Sequence, residues 1–463
     1  MTESVGDAMA VAVSKMTVMF DTARRTLVVG LGKTGLSVAR FLSRRGVAVA
    51  IVDSRANPPG LEALRSELPA DVALFLGGFK AEAFERAEQV IVSPGVPVGE
   101  PLIAAAAARG VPVIGDVELF AQVVTAPVVA ITGSNGKSTV TTLLNAMAQS
   151  AGMNVRMGAN IGTPALDLIA DREPDLYVLE LSSFQLETTY SLRPAAAVVL
   201  NISPDHMDRY ADLEAYSSAK QSIYRQAAVQ VVNADDPLVT RLVYPDRAQL
   251  RYTMGAPAAG EYGVCDYQGA HWLARGEEPI MPVSGIRMDG RHNVMNTLAA
   301  LALGEAVGLA RDAMIEAINE FRGLPHRMQL IANLAGVRWY NDSKGTSVGA
   351  TLAAIDSAEG PVVLIAGGDA KGADLSPLSA AMRQKGRGAV LIGRDAPRVQ
   401  AVLQAIVPIE RAADMQEAVQ LASRMARTGD SVLLSPACAS TDMYRDFQER
   451  GDLFVKAVRG LTG

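Results

Sequence analysis

Short apolar runs alternate with amphipathic segments along most of this chain, and the spacing predicts an α/β fold in three parts. From Thr26 the pattern reads as a strand at Leu27 to Val29, an amphipathic helix at Leu36 to Leu42 and a strand at Ala48 to Val52. Later strands are expected at Val90 to Val92 and Val111 to Ile114. Ala126 and Pro127 interrupt the pattern, which puts a boundary near residues 116 to 126. A second series follows, with buried strands expected at Val128 to Ile131, Leu176 to Leu181, Ala196 to Leu200 and Val229 to Val232. The Ala- and Leu-rich stretch from Asn293 to Val307 reads as a long helix. After Gly323-Leu324-Pro325 the strand signal returns at Pro361 to Ile365, Ala389 to Ile392 and Ser431 to Leu434, with a helix at Ala413 to Ala426. The expected division is an N-terminal extension (1–24), a Rossmann-like domain (25–117), a central domain with a mainly parallel sheet (118–323) and a C-terminal Rossmann-like α/β domain (324–463).

Composition agrees with a multidomain globular protein: 463 residues, 49% hydrophobic and 20% charged. The net charge of −6 disfavours nucleic acid as a partner. Two distant cysteines, Cys265 and Cys438, offer neither a zinc pattern nor a disulfide framework, and a cytoplasmic location is the simpler expectation. The apolar patch from Ala8 to Met19 contains Lys15 and is too short to span a bilayer, so no membrane insertion is expected.

The strongest chemical signal is Thr132-Gly133-Ser134-Asn135-Gly136-Lys137-Ser138-Thr139, between a buried strand and a helix expected over Thr141 to Gln149. Two glycines permit a tight turn, helix N–H groups point at phosphates, Lys137 brings fixed charge, and Ser138 or Thr139 offers a hydroxyl to magnesium. Ile131 stands where the strict P-loop has another glycine, so this is a variant phosphate cradle for ATP. Gly30-Leu31-Gly32-Lys33-Thr34-Gly35, with Asp53 downstream, matches the dinucleotide fingerprint and alone reads as an NAD-dependent oxidoreductase. No hydride-transfer site follows it, and the same turn can take a nucleotide-sugar diphosphate.

Other polar groups end apolar strands. Glu180, in Leu179-Glu180-Leu181-Ser182-Ser183-Phe184-Gln185, is costly to bury there unless a cation such as magnesium pairs with it. His206 lies in a polar loop within Asp205-His206-Met207-Asp208, and Lys220 on a helical stretch would ordinarily be solvated. Three further loops, around Asn341 to Thr346, Gly367 to Gly372 and Ser435 to Ser440, suit carboxylates and phosphates.

From about Thr26 onward these motifs, together with His292-Asn293, Asn296 and Leu324-Pro325-His326-Arg327, occur in an order that resembles the Mur ligases of bacterial peptidoglycan synthesis. The opening Gly-rich turn and the closing Ser435-Pro436-Ala437-Cys438-Ala439-Ser440 with Phe447 resemble the D-glutamate-adding branch. The resemblance implies an ATP-dependent amide ligase that takes UDP-N-acetylmuramoyl-L-alanine and D-glutamate, forms an acyl phosphate, and acts as a monomer. A sibling ligase adding another amino acid is the nearest alternative. By the same resemblance Thr34, Asp53, Ser54 and Arg55 meet the uridine diphosphate, and Asn160 and Ser182 face the muramyl substrate. Gly133, Ser134, Asn135, Gly136, Lys137, Ser138, Thr139, Asn293, Asn296, Arg327 and Asp342 hold ATP. Ser138, Glu180, His206 and a carbamylated Lys220 bind two magnesium ions, and Lys137 serves catalysis with Glu180, His206 and Lys220. Lys344, Thr346, Lys371, Ser440 and Phe447 form the D-glutamate pocket. The interval from His206 to Lys220 is one residue shorter than the family form.

Overall fold

A computed structural model describes residues 24–69, 72–207, 209–288 and 290–462. The apolar patch at Ala8 to Met19 and almost all of the N-terminal extension therefore lie outside the described residues. The described residues divide into two compact units, those within 24–202, 214–282 and 297–318 in the first and those within 203–213, 283–296 and 319–462 in the second.

The first unit contains two sheets. The smaller has five parallel strands in the spatial order Ala73–Leu76, Val49–Asp53, Thr26–Val29, Gln89–Val92 and Val113–Ile114. Its order reverses at Thr26–Val29, and the crevice at that strand's carboxyl end is where the Gly30 turn enters helix Lys33–Ser43. The larger has nine strands: Glu278–Pro282, Ala270–Arg275, Tyr262–Tyr267, Ala248–Tyr252, Val229–Asn233, Ala196–Val199, Val128–Thr132, Leu176–Glu180 and Val155–Ala159. Pairing is parallel except at the two hairpins joining Tyr262 to Pro282. Val128–Thr132 is flanked by Ala196–Val199 and Leu176–Glu180, all buried, so the apolar runs read from the sequence are the middle of this sheet.

In the second unit six strands follow the order Gln329–Leu334, Val337–Asn341, Ser431–Leu434, Val362–Gly367, Gly386–Ile392 and Ile409–Arg411. Only the first pair is antiparallel. Asn341 and Ile365 both pair with Leu434, so the loops that follow these three strands leave one edge of the sheet together. Apolar clusters cover both faces, one around Leu364, Leu378 and Leu433, the other around Trp339, Val432 and Phe454. Cys265 and Cys438 are unpaired. Among the described residues no helix is long and apolar enough to cross a membrane.

Candidate functional site

The phosphate cradle is built as its residues require. Gly133 and Gly136 have φ of 151° and 83°, and a Cβ on Gly133 would lie 3.0 Å from that of Leu200. Helix Lys137–Ser150 starts directly at the loop, four residues earlier than expected, because the turn itself becomes the first helical turn. The Lys137 ammonium donates to the carbonyls of Gly133 and Ser134, both at 2.9 Å, and so stays over the loop. Asn201 braces it: the side-chain oxygen accepts the Asn135 N–H at 2.8 Å, and the amide donates to the Asn135 carbonyl at 3.1 Å. Ser134 N–H also donates to the Asn201 carbonyl, at 2.9 Å.

Glu180 ends the neighbouring strand and is buried. Its Oε1 accepts from the Asn160 side-chain amide at 2.7 Å, while Oε2 is buried with no hydrogen-bond partner among the described residues. A carboxylate oxygen left this way costs free energy unless a cation completes it, so Glu180 and the Ser138 hydroxyl suit a magnesium ion beside bound phosphates. Protein groups alone do not form a closed cage: no cluster of three or more His, Cys, Asp and Glu side chains is present among the described residues. A site completed by phosphate oxygens and water is the usual arrangement for magnesium. Lys220, expected to be solvated by default, is 1% exposed. Its ammonium reaches the Gly133 carbonyl at 3.0 Å and lies 4.6 Å from the centre of the Tyr216 ring. Lys137 and Lys220 thus converge on one carbonyl oxygen. Ser182 closes a capping box with Gln185 directly after the Glu180 strand.

In the smaller sheet Asp53 is buried and already engaged. Burial pushes its carboxyl up, but the Arg55 guanidinium and the N–H groups of Leu31 and Arg55 outweigh this and hold it at about 2. The Arg55 fork is bidentate, at 2.9 and 2.7 Å. Asp53 therefore ties the Gly30 turn, which leads into Thr34 at the start of the helix, to Arg55, and Arg55 and Ser54 are exposed. The open ribose acceptor of the dinucleotide fingerprint is thereby compromised.

The second unit carries the remaining candidates. His206 has a φ of 56° and stands 3.7 Å from Asp205. Asn296 donates to Asn293 at 3.2 Å, and both are buried at the start of helix Arg291–Ala306. Asp342 is buried, and burial raises its carboxyl to about 6 against the Ser435 hydroxyl, the Met328 N–H, Arg327 and Arg450. The Lys344 ammonium sits 3.9 Å from the centre of the Phe447 ring. Thr346 follows within the same turn, its N–H on the Lys344 carbonyl at 2.8 Å. A two-residue bridge between Asp369 and Ala439 brings the Lys371 and Ser440 loops side by side. These five pocket candidates thus share one edge of one sheet. Sequence reading missed Asn201 and Arg450. Asn201 carried a usable signal, a polar residue directly after a buried strand, whereas Arg450 sits among Glu449, Asp452 and Lys456, where nothing in the sequence sets one charge apart.

Comparison with known proteins gives three successive family matches: "Mur ligase MurD-like, N-terminal domain" at residues 24–115, "Mur ligase middle domain" at 131–304, and "Mur ligase, glutamate ligase domain" at 326–438. The UDP-N-acetylmuramoylalanine--D-glutamate ligase of Nitrosococcus oceani is 58% identical over 441 residues, 95% of this chain and 97% of that protein. The protein of the same name from Marinobacter nauticus is 52% identical over 95% of this chain and 98% of its own length. Among solved structures, MurF ligase from Thermotoga maritima in complex with ADP aligns at a TM-score of 0.59 and 16% identity, covering 96% of this chain and all of the other. UDP-N-acetylmuramate-alanine ligase MurC from Thermotoga maritima aligns at 0.58 and 18%, covering 95% and 100%. These two likenesses speak to the fold, and the full-length relatives to kinship: the chain belongs to the Mur ligase family.

Proposed function

We propose that this protein joins D-glutamate to UDP-N-acetylmuramoyl-L-alanine with hydrolysis of ATP to ADP and phosphate. The observation that carries the reading is the buried, half-unpartnered Glu180 beside the Lys137 loop, in a chain whose full-length relatives bear that activity in their names.

A carboxylate is a poor electrophile, so amide formation needs its activation. The alanyl carboxylate attacks the γ-phosphorus, ADP leaves, and the resulting acyl phosphate is attacked by the D-glutamate amine. Phosphate then departs and the amine loses its proton. Bringing carboxylate against triphosphate meets repulsion of about 4 kcal/mol per pair of unit charges at 4 Å and an effective dielectric of 20. Lys137 offsets this at the phosphates, and the N-terminus of helix Lys137–Ser150 orients them. Ser138 and Glu180 would hold one magnesium ion, and His206 with a carbamylated Lys220 would serve a second; such ions would supply neutralisation of charge on the phosphates. Carbamylation of Lys220, in which the ammonium loses a proton and the free amine adds carbon dioxide with loss of a second, replaces one of two cations converging on Gly133 with an anion.

Residues 25–117, with Thr34, Asp53, Ser54 and Arg55, take the uridine diphosphate, and residues 118–323, with Asn160 and Ser182, take the muramyl end and ATP. Residues 324–463 take D-glutamate. The protein works as a monomer in the cytoplasm. Phosphate release that requires both UDP-N-acetylmuramoyl-L-alanine and D-glutamate tests the reading, and a panel of amino acids in the same assay separates it from a sibling ligase. Equal turnover with L-glutamate would overturn it. Lys137→Ala and Glu180→Ala are expected to lower turnover at least about a hundredfold in folded protein.

A further inference from the structure

Arg450 is fully buried in helix Phe447–Arg459, and no carboxylate lies within ion-pair distance of it among the described residues. Its hydrogen bonds go instead to two loops. Nε donates to the Ser343 hydroxyl at 3.0 Å and Nη2 to the Ser343 carbonyl at 2.7 Å, while Nη1 donates to the Cys438 carbonyl at 3.2 Å. The Ser343 hydroxyl in turn donates to the Phe447 carbonyl at 2.8 Å. One side chain therefore fastens the residue before Lys344, the loop leading to Ser440 and the helix that starts with Phe447.

A buried guanidinium without a direct ion pair is expensive, and a packing role alone is better filled by an apolar side chain. Burial draws it down only to about 10, so it remains a cation at neutral pH. Asp342 and Asp442 act on it from beyond hydrogen-bonding distance, their own hydrogen bonds going to Ser435 and Met328 and to the Arg394 N–H at 2.8 Å. Lysine could not replace the planar fork that spans Ser343 and Cys438 at once.

We propose that Arg450 is the positioning residue of the amino-acid pocket, holding the Lys344 and Ser440 loops in register and placing a buried positive charge behind the pocket for a dicarboxylate substrate. The proposal rests on the D-glutamate reading of that pocket. Its test uses Arg450→Lys and Arg450→Met in the full chain, with phosphate release followed while each substrate is varied in turn. KM for D-glutamate is expected to rise about tenfold or more in both, further in Met than in Lys, with KM for UDP-N-acetylmuramoyl-L-alanine within about twofold of the parent. An unchanged KM for D-glutamate in folded variants, or an equal rise for all three substrates, overturns the proposal. Should neither arginine variant fold, Ser343→Ala decides: it removes the hydroxyl shared by Arg450 and Phe447, and several-fold weaker D-glutamate use is expected, against none if the idea is wrong. Parent enzyme that releases phosphate with another amino acid instead refutes the D-glutamate reading, and the same variants are then scored on that amino acid.

Discussion

Asp116 is another buried charged group, and here the carboxylate works against stability. It opens helix Asp116–Ala121, is 1% exposed, and neither oxygen meets a donor at hydrogen-bonding geometry. Burial raises it to about 6, opposed by the N–H groups of Val117 and Asp116 and by the Gln185 side chain. Nearby charges are spent elsewhere: Glu118 on Tyr190 and Ser191, Asp167 on Ser37 and Arg40. An acid whose folded value exceeds its unfolded one binds protons more tightly when folded, so stability falls as pH rises from about 4 to about 6, by on the order of 3 kcal/mol. Asp116→Asn is therefore expected to melt higher than the parent at pH 8 and alike at pH 4. A lower melting point at pH 8 would mean that the carboxylate finds a partner in solution. Sequence could not reveal this, because an Asp in a first helical turn is ordinarily a favourable, solvated end group. Lys220 misleads in the same direction, since only the packed structure decides that a helical lysine faces inward.

Apolar strands in the middle of a sheet were legible, as were the amphipathic helices around Leu36 and Ala413, whereas polar strands at a sheet edge were not. The strands at Val128, Leu176, Ala196, Val362 and Ser431 lie mid-sheet and are apolar on both faces. The hairpins from Tyr262 to Pro282 escaped notice because they form the solvent-facing edge of the nine-stranded sheet, where Asp266, His271 and Glu278 break any alternation. Glycine spacing was informative where backbone passes close to backbone. A Cβ on Gly35 would stand 1.8 Å from the Gly30 carbonyl oxygen, so Gly35→Ala must push helix Lys33–Ser43 away from the turn. KM for UDP-N-acetylmuramoyl-L-alanine is expected to rise about tenfold or more while KM for ATP changes little. Equal effects on both would show that the turn serves folding alone.

At the scale of the whole molecule, the five-stranded and nine-stranded sheets share one compact unit and the six-stranded sheet belongs to another. A ligand confined to the first unit should act on it selectively. UDP-N-acetylmuramoyl-L-alanine at a hundred times its Kd should stabilise that unit by about 2.7 kcal/mol, raising one calorimetric transition and leaving the other in place. Two transitions moving together would instead indicate a single cooperative block.

Within the first unit the joint between its sheets is tight: the Gly115 N–H reaches the Thr188 carbonyl at 3.1 Å, a Cβ on Gly115 would strike the Thr188 hydroxyl, and Glu118 grips the N–H groups of Tyr190 and Ser191. With its two sheets joined in this way, the unit would act as a ruler between the Gly30 turn and the Lys137 loop. On the proposed reading, a substrate anchored there by its diphosphate would present its free acid to bound ATP at one reach only, and a longer chain would no longer fit that span.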